Sequence, residues 1–203
     1  MTASPPVPAE RITYEEFLAR CSESRIEEWV DGWVVREPGP SDPHMDLAGF
    51  LGAVLRAFVE AKGLGIVRIA PFQMKTGPDL PGREPEILFV REAHRNRVRH
   101  QFLEGPADLA IEIISPDSRR RDREEKYREY EAGGVEEYWI LDPEKKRADF
   151  YVRDRRGCYR ARKPDPKGIY RSRVLPGFWL EVDGLWQRPL PLVLGTLRRL
   201  GIV

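Results

Sequence analysis

At 203 residues, 41% hydrophobic and with a formal net charge of +1, the chain holds enough apolar material for one domain with a sizeable core. The near-neutral balance excludes a global attraction to nucleic acid or membrane, so either partner would need a local patch. No apolar stretch approaches the roughly 18 residues that span a bilayer, and the polar, Pro-rich start Met1-Thr-Ala-Ser-Pro-Pro-Val-Pro is expected to be neither a signal peptide nor an anchor.

Residues 1–10 read as a loose tail, and 11–203 as one α/β domain. Thr13 followed by Glu16 is a capping-box signature and predicts a short helix from there to Arg20. Apolar residues flanking Asp31-Gly32 predict a hairpin over 27–36. Residues 38–43 read as a loop, and a helical period from His44 to Lys62 ends at Gly63. Gly65 to Met74 and Glu86 to Val90 read as strands, with a Gly/Pro turn region between them. Asp108 to Ser115 is the most apolar strand, Asp122 is placed as the cap of a helix ending at Gly133-Gly134, and 137–142 and 147–152 form a further strand pair. Val174 to Val182 is predicted extended, with a short helix near 190–200. Cys21 and Cys158 match no zinc or CxxC spacing, which points to reduced thiols in a cytoplasmic protein or to a single disulfide.

Glu112 is the most informative residue. Leu109, Ile111 and Ile113 alternate with Asp108, Ala110, Glu112 and Ile114, so both sides of the strand are apolar and both are expected to be covered. An ionised carboxylate there costs several kcal/mol unless a cation, a metal or strong donors compensate it. A structural ion pair is one answer; a catalytic site is the other. Glu112 precedes Ser115 by roughly 10 Å of strand, and Lys126 lies roughly 6 Å along the returning helix, so the ammonium can reach the carboxylate. With Glu86 entering the neighbouring apolar strand, two carboxylates and a lysine make the minimum set for metal-assisted phosphodiester hydrolysis. Tyr130, one turn past Lys126, faces the same way as packing or as an orienting hydroxyl.

These segments resemble the bacterial Uma-type restriction-endonuclease-like proteins of the PD-(D/E)xK nuclease superfamily. The resemblance is carried by EPEILFV at 84–90 and DLAIEIISPDSRRRDREEKYREYEAGGVEEYWILDP at 108–143, and supported by the Ile12-Thr-Tyr-Glu-Glu-Phe segment, Trp29-Val-Asp-Gly and the His44 helix. It implies an α/β fold with a restriction-endonuclease-like mixed β-sheet core flanked by helices, preceded by an N-terminal helix and hairpin. It also implies a Mg²⁺-dependent site, with Mn²⁺ as substitute, that hydrolyses DNA. Glu86 and Glu112 are then the metal ligands, helped by the Ile113 carbonyl, and Lys126 orients the attacking water. Two departures stand out: Glu86 occupies a position where the superfamily usually has Asp, and Ile114 stands where its lysine usually falls, which points to Lys126 in the following helix.

Asp108 and His44 complete the candidate catalytic set. Asp108 shares the Glu112 face about 13 Å along the strand, which suits anchoring the strand entrance better than sharing an ion. His44 heads the long helix and is placed either against phosphate or metal-bound water or as a cap or surface histidine. Glu28 is read as a hairpin salt-bridge residue, with membership of the carboxylate cluster the less favoured alternative. Two basic runs, Arg91 to His100 with Arg95 and Arg97, and Arg119-Arg120-Arg121-Asp122-Arg123, are expected to flank the site, either as contacts for a DNA backbone or as solvated loops. A homodimer follows from the resemblance and the two-fold symmetry of duplex cleavage. The rival reading is a catalytically degenerate nuclease fold that binds nucleic acid or a protein partner.

Overall fold

The computed structural model describes residues 11–20, 27–36, 41–115 and 118–203. The expected tail at 1–10, Cys21 and residues 38–40 of the expected loop lie outside them. Helix α1 (Tyr14–Arg20) leads to strands β1 (Glu27–Val30) and β2 (Trp33–Arg36), then helix α2 (Asp42–Ala61). Next come β3 (Gly65–Ile69), β4 (Gln73–Lys75), β5 (Gly82–Arg83), β6 (Ile87–Arg91), β7 (Phe102–Glu104) and β8 (Leu109–Ile113). After α3 (Lys126–Gly133) follow β9 (Glu137–Asp142), β10 (Arg147–Arg153), β11 (Tyr159–Arg162), β12 (Ile169–Arg171), β13 (Trp179–Glu181) and α4 (Val193–Arg199).

Local signals account for much of this. Thr13 and Glu16 exchange backbone-to-side-chain hydrogen bonds of 2.9 and 3.1 Å, the predicted capping box. Asp31 and Gly32 both take positive φ, 50° and 88°, as a tight hairpin turn requires. Helix α2 begins at Asp42, before the expected His44, because Pro43 suits a first helical turn. Gly134 ends α3 at φ 92°.

Among the described residues the strands form three sheets: six strands in the order β11-β10-β9-β8-β6-β3, five in the order β2-β1-β5-β4-β7, and the pair β12-β13. The six-stranded sheet is mixed, because β8 and β9 run parallel while β6 and β8 run antiparallel. Helix α3 fills the crossover that a parallel pair demands. Leu109, Ile111 and Ile113 pack with Leu47, Leu51, Phe58 and other residues of α2 on one face. Ala110 and Ile114 pack with Tyr130, Met74 and Leu103 on the other. The α/β architecture and the two-sided burial of β8 are as expected; burying each large apolar side chain of α2 contributes about 1.5–3 kcal/mol.

Three expectations change. The segment from Gly65 to Met74 is two strands in two different sheets, since Pro71 cannot donate to a ladder. Asp122 is not a helix cap. Ser115 and Ser118 exchange the capping hydrogen bonds, at 3.0 and 3.2 Å, so residues 119–120 are already helical. The chain then makes a π-helical turn, Arg121–Glu125, before α3, which leaves Asp122 buried within the helix. Of the expected extended run 174–182, only Trp179–Glu181 is a strand.

Candidate active site

Glu112 projects from β8 toward α3 and is 3% exposed. Lys126 Nζ lies 3.0 Å from its Oε1, and the Tyr130 hydroxyl donates to the same oxygen at 2.8 Å. Among the described residues, both hydrogen bonds to this carboxylate converge on one oxygen, and none is made to Oε2. Burial pushes the Glu112 carboxyl up to about 8, while Lys126 pulls it down. Glu86 is among the neighbouring carboxylates that add to the rise.

Lys126 is 3% exposed and faces three carboxylates: Glu28 at 2.9 Å, Glu112 at 3.0 Å and Asp122 at 3.4 Å. Burial works against its charge, but these carboxylates hold the ammonium well above the ordinary lysine range. Glu28 is thus a member of the central cluster and not a local hairpin bridge, which corrects the expectation. Its other oxygen accepts from Arg83 at 2.9 Å. Burial would raise the Glu28 carboxyl, yet Lys126 and Arg83 together bring it down to about 2. Arg83, 1% exposed, also grips Glu129 through two hydrogen bonds of 2.7 Å each, the fork geometry that guanidinium favours. Glu84 sits behind Glu28: its amide donates to Glu28 Oε1 at 3.2 Å, and burial plus the Glu28 charge lift its carboxyl to about 8.

Glu86 immediately precedes β6. The ladder pairs Ile87 with Ile111 and Leu88 with Ala110, so the next step in register sets Glu86 opposite Glu112. Its side chain is 22% exposed, and its Oε1 lies 2.8 Å from His44 Nε2. That contact is close but off the hydrogen-bonding angle, and His44 is buried at the head of α2. Glu86, Glu112, Lys126 and His44 are therefore gathered at one end of the six-stranded sheet.

Asp108 is not with them. It stands at the opposite end of β8, where it accepts from the Arg91 amide at 2.7 Å and the Arg91 guanidinium at 2.8 Å. His94 closes on it at 2.9 Å. The basic run after β6 shares that far end, with Arg97 donating to the Pro106 carbonyl and Arg95 paired with Glu92. The first run therefore does not flank the site, and of the second only Arg120 and Arg121 line a cleft beside it. Arg120 and Arg121, with Val30, Val35, Arg83 and Glu125, line an open cleft of about 340 Å³ between the hairpin and the helix. Arg119 is tied to Asp142 and Glu144.

Among the described residues, no group of three or more His, Cys, Asp or Glu is arranged to hold a metal ion. A site for Mg²⁺ does not need one. That ion is commonly held by one or two carboxylates, with water and substrate phosphate completing its octahedron. The paired positions of Glu86 and Glu112, one partly exposed and the other with no hydrogen bond to its Oε2 among the described residues, fit that donor chemistry.

Sequence reasoning missed Arg83 and Glu84 and underrated Glu28. The adjacent acids Glu27 and Glu28 in a strand, and the charged pair Arg83-Glu84 set between Pro81 and Pro85, were the available signals.

No curated protein matches the chain. A solved structure similar to it is that of a "putative nuclease belonging to DUF820" from Anabaena variabilis ATCC 29413. The two share 17% identity at a TM-score of 0.70, covering 86% of this chain and 97% of that one. At that identity the likeness speaks for the fold, a mixed α/β arrangement. The model of the Uma2 family, described as "putative restriction endonuclease", matches residues 14–183. With most of its length so matched, the chain belongs to the Uma2 family.

Proposed function

We propose that this protein is a metal-dependent endonuclease that hydrolyses DNA phosphodiester bonds, acting in the cytoplasm as a homodimer. The observation that carries the reading is the meeting of Lys126 and Tyr130 on one oxygen of Glu112, with Glu86 next in register across the ladder. Family membership supports the nuclease class. Glu86 and Glu112, with the Ile113 carbonyl, would hold Mg²⁺ or Mn²⁺, which when bound supplies Lewis-acid activation of the phosphodiester and of water. Tyr130 and Lys126 fix the Glu112 carboxylate, and the Lys126 ammonium orients the attacking water or a phosphate oxygen. His44 sets the rotamer of Glu86. Arg120 and Arg121, on the rim of the neighbouring cleft, receive the phosphate backbone.

One observation favours the rival reading, a nuclease fold without catalysis. The Lys126 ammonium already lies within ion-pair distance of three carboxylates, and the residue is almost wholly buried. Calorimetric titration of Mn²⁺ into folded wild-type protein and folded Glu112→Ala separates the two. Saturable binding lost in the variant, followed by cleavage of plasmid DNA, supports the endonuclease. Folded wild-type protein that neither binds Mn²⁺ nor cleaves in its presence would sink it.

A further inference from the structure

The fifteen residues from Tyr159 to Arg173 carry six basic side chains and one acidic one, in a chain whose overall charge is only +1. They span β11, β12, the loop between and the two residues that follow β12. Arg162, Lys163, Arg171 and Arg173, all exposed, line a cleft of about 400 Å³ floored by Val152, Ile169 and Tyr170.

The platform under these cations is rigid for an identifiable reason. Glu137 is fully buried and accepts five hydrogen bonds, from Trp139 Nε1, the Tyr170 hydroxyl, Ser172 Oγ and the amides of Arg173 and Val174, at 2.7–3.0 Å. Alternation in an extended segment then does the rest. Tyr170 and Ser172 turn inward to Glu137, and Arg171 and Arg173 turn outward into the cleft. Asp165, the one acid of the run, is spent on the amides of Lys167 and Ile169 and on Arg171 at 2.6 Å. Among the described residues, no carboxylate lies within ion-pair distance of Arg162, Lys163 or Arg173. Glu136, which does feel Arg173, is held by two hydrogen bonds to Arg91. Three unneutralised cations in one concavity are poised for an anion with several negative charges.

We propose that this cleft is a second nucleic-acid-binding surface, which grips the phosphate backbone of DNA away from the bond being cut. It is remote from the proposed cleavage centre. Glu137 pairs with Leu109 at the far end of the sheet, whereas Glu112 pairs with Ile140. Tyr170 packs on the α2 face, and Glu112 looks to the α3 face. A lipid surface fits less well, because none of the exposed large apolar side chains, such as Leu192, Leu194 or Trp33, lines the cleft. The choice of nucleic acid over other polyanions rests on the nuclease reading.

The test uses the full chain in EDTA, with a labelled short DNA duplex titrated at several salt concentrations. The triple variant Arg162→Ala/Lys163→Ala/Arg173→Ala should bind about tenfold more weakly at moderate salt. Its log Kd against log salt should flatten by roughly two to three, near 0.9 for each phosphate no longer neutralised. The charge-keeping pair Arg162→Lys/Arg173→Lys should retain the wild-type slope. An unchanged slope in the folded triple variant, or wild-type protein that binds no DNA, overturns the proposal. So does displacement of the duplex by polyglutamate at equal charge concentration, which would mark a surface for acidic proteins. Mn²⁺ titration of the triple variant reads the Glu86–Glu112 centre separately, so failure here leaves the cleavage reading standing.

Discussion

Glu28 reaches Lys126 from the five-stranded sheet at 2.9 Å, no farther than Glu112 reaches it from the six-stranded one. The central ammonium is thus shared between two sheets, and the hairpin that carries Glu28 becomes a wall of the site. Glu28→Gln removes a charge on which both Lys126 and Arg83 depend. A loss of about 3–5 kcal/mol is expected, the usual cost of breaking a buried pair from one side. Urea unfolding reads it directly, and a loss below 1 kcal/mol would mean that the pair is solvated.

The same residue predicts an acid limb of the stability curve. The Glu28 carboxyl falls from 4.5 in the unfolded chain to about 2 in the folded one. Its contribution is therefore full above pH 4.5 and is lost as pH falls toward 2, amounting to about 3 kcal/mol. Melting temperatures of wild-type protein should drop through that window, and Glu28→Gln should flatten the drop.

Glu84 has the opposite sign. Its carboxyl rises from 4.5 to about 8 on folding, so the stability it contributes is full below pH 4.5 and is lost as pH rises through 8. Glu84→Gln mimics the protonated form. It should be near-neutral at pH 5 and stabilising at pH 9 by up to about 5 kcal/mol. Equal effects at both pH values would show that Glu84 does not titrate with folding.

Lys126→Met should abolish cleavage, and it should also destabilise by about 3–5 kcal/mol, because Glu28, Glu112 and Asp122 then face no ammonium. Glu112→Gln in that background should recover some of the loss. A double-mutant cycle with a coupling of about 1–3 kcal/mol is the expected result. Zero coupling would separate the two groups energetically.

Asp108→Asn distinguishes anchor from ligand. With Arg91 and His94 as its partners, the substitution should cost about 1–3 kcal/mol in stability. It should leave the Mn²⁺ isotherm unchanged. A weakened isotherm would return Asp108 to the metal site.

Those regions of the fold governed by residues near in sequence were legible without coordinates. The Thr13–Glu16 box, the Asp31-Gly32 turn, the helical stripe of α2 and the two-sided strand around Glu112 each follow from local periodicity or turn chemistry. Lys126 was legible too, because strand rise and helix rise fix how far the chain has returned. Glu28 and Arg83 were not, since their meeting depends on β1 pairing with β5 and on how the two sheets stack. Local alternation carries no record of strand order. The placement of Asp122 failed for a smaller reason: Asp-x-x-Glu reads as a cap, but Ser115 and Ser118 already fill that role a full turn earlier.

The π-helical turn at Arg121–Glu125 ends at Lys126, whose amide bonds back to the Arg121 carbonyl. A wide turn of this kind holds one residue more than an α turn would. It therefore absorbs one extra residue between the serine cap and the ammonium without turning the rest of the helix. Deleting one residue within it would let the helix wind regularly with its backbone bonding intact. Regular turns of about 100° per residue would then bring Lys126 and Tyr130 back to nearly the same side of the axis, still facing Glu112. The wide turn is thus the one place in this stretch where the chain can shorten by a residue and still present the ammonium to Glu112; a deletion in the regular helix after Lys126 would turn Tyr130 away instead.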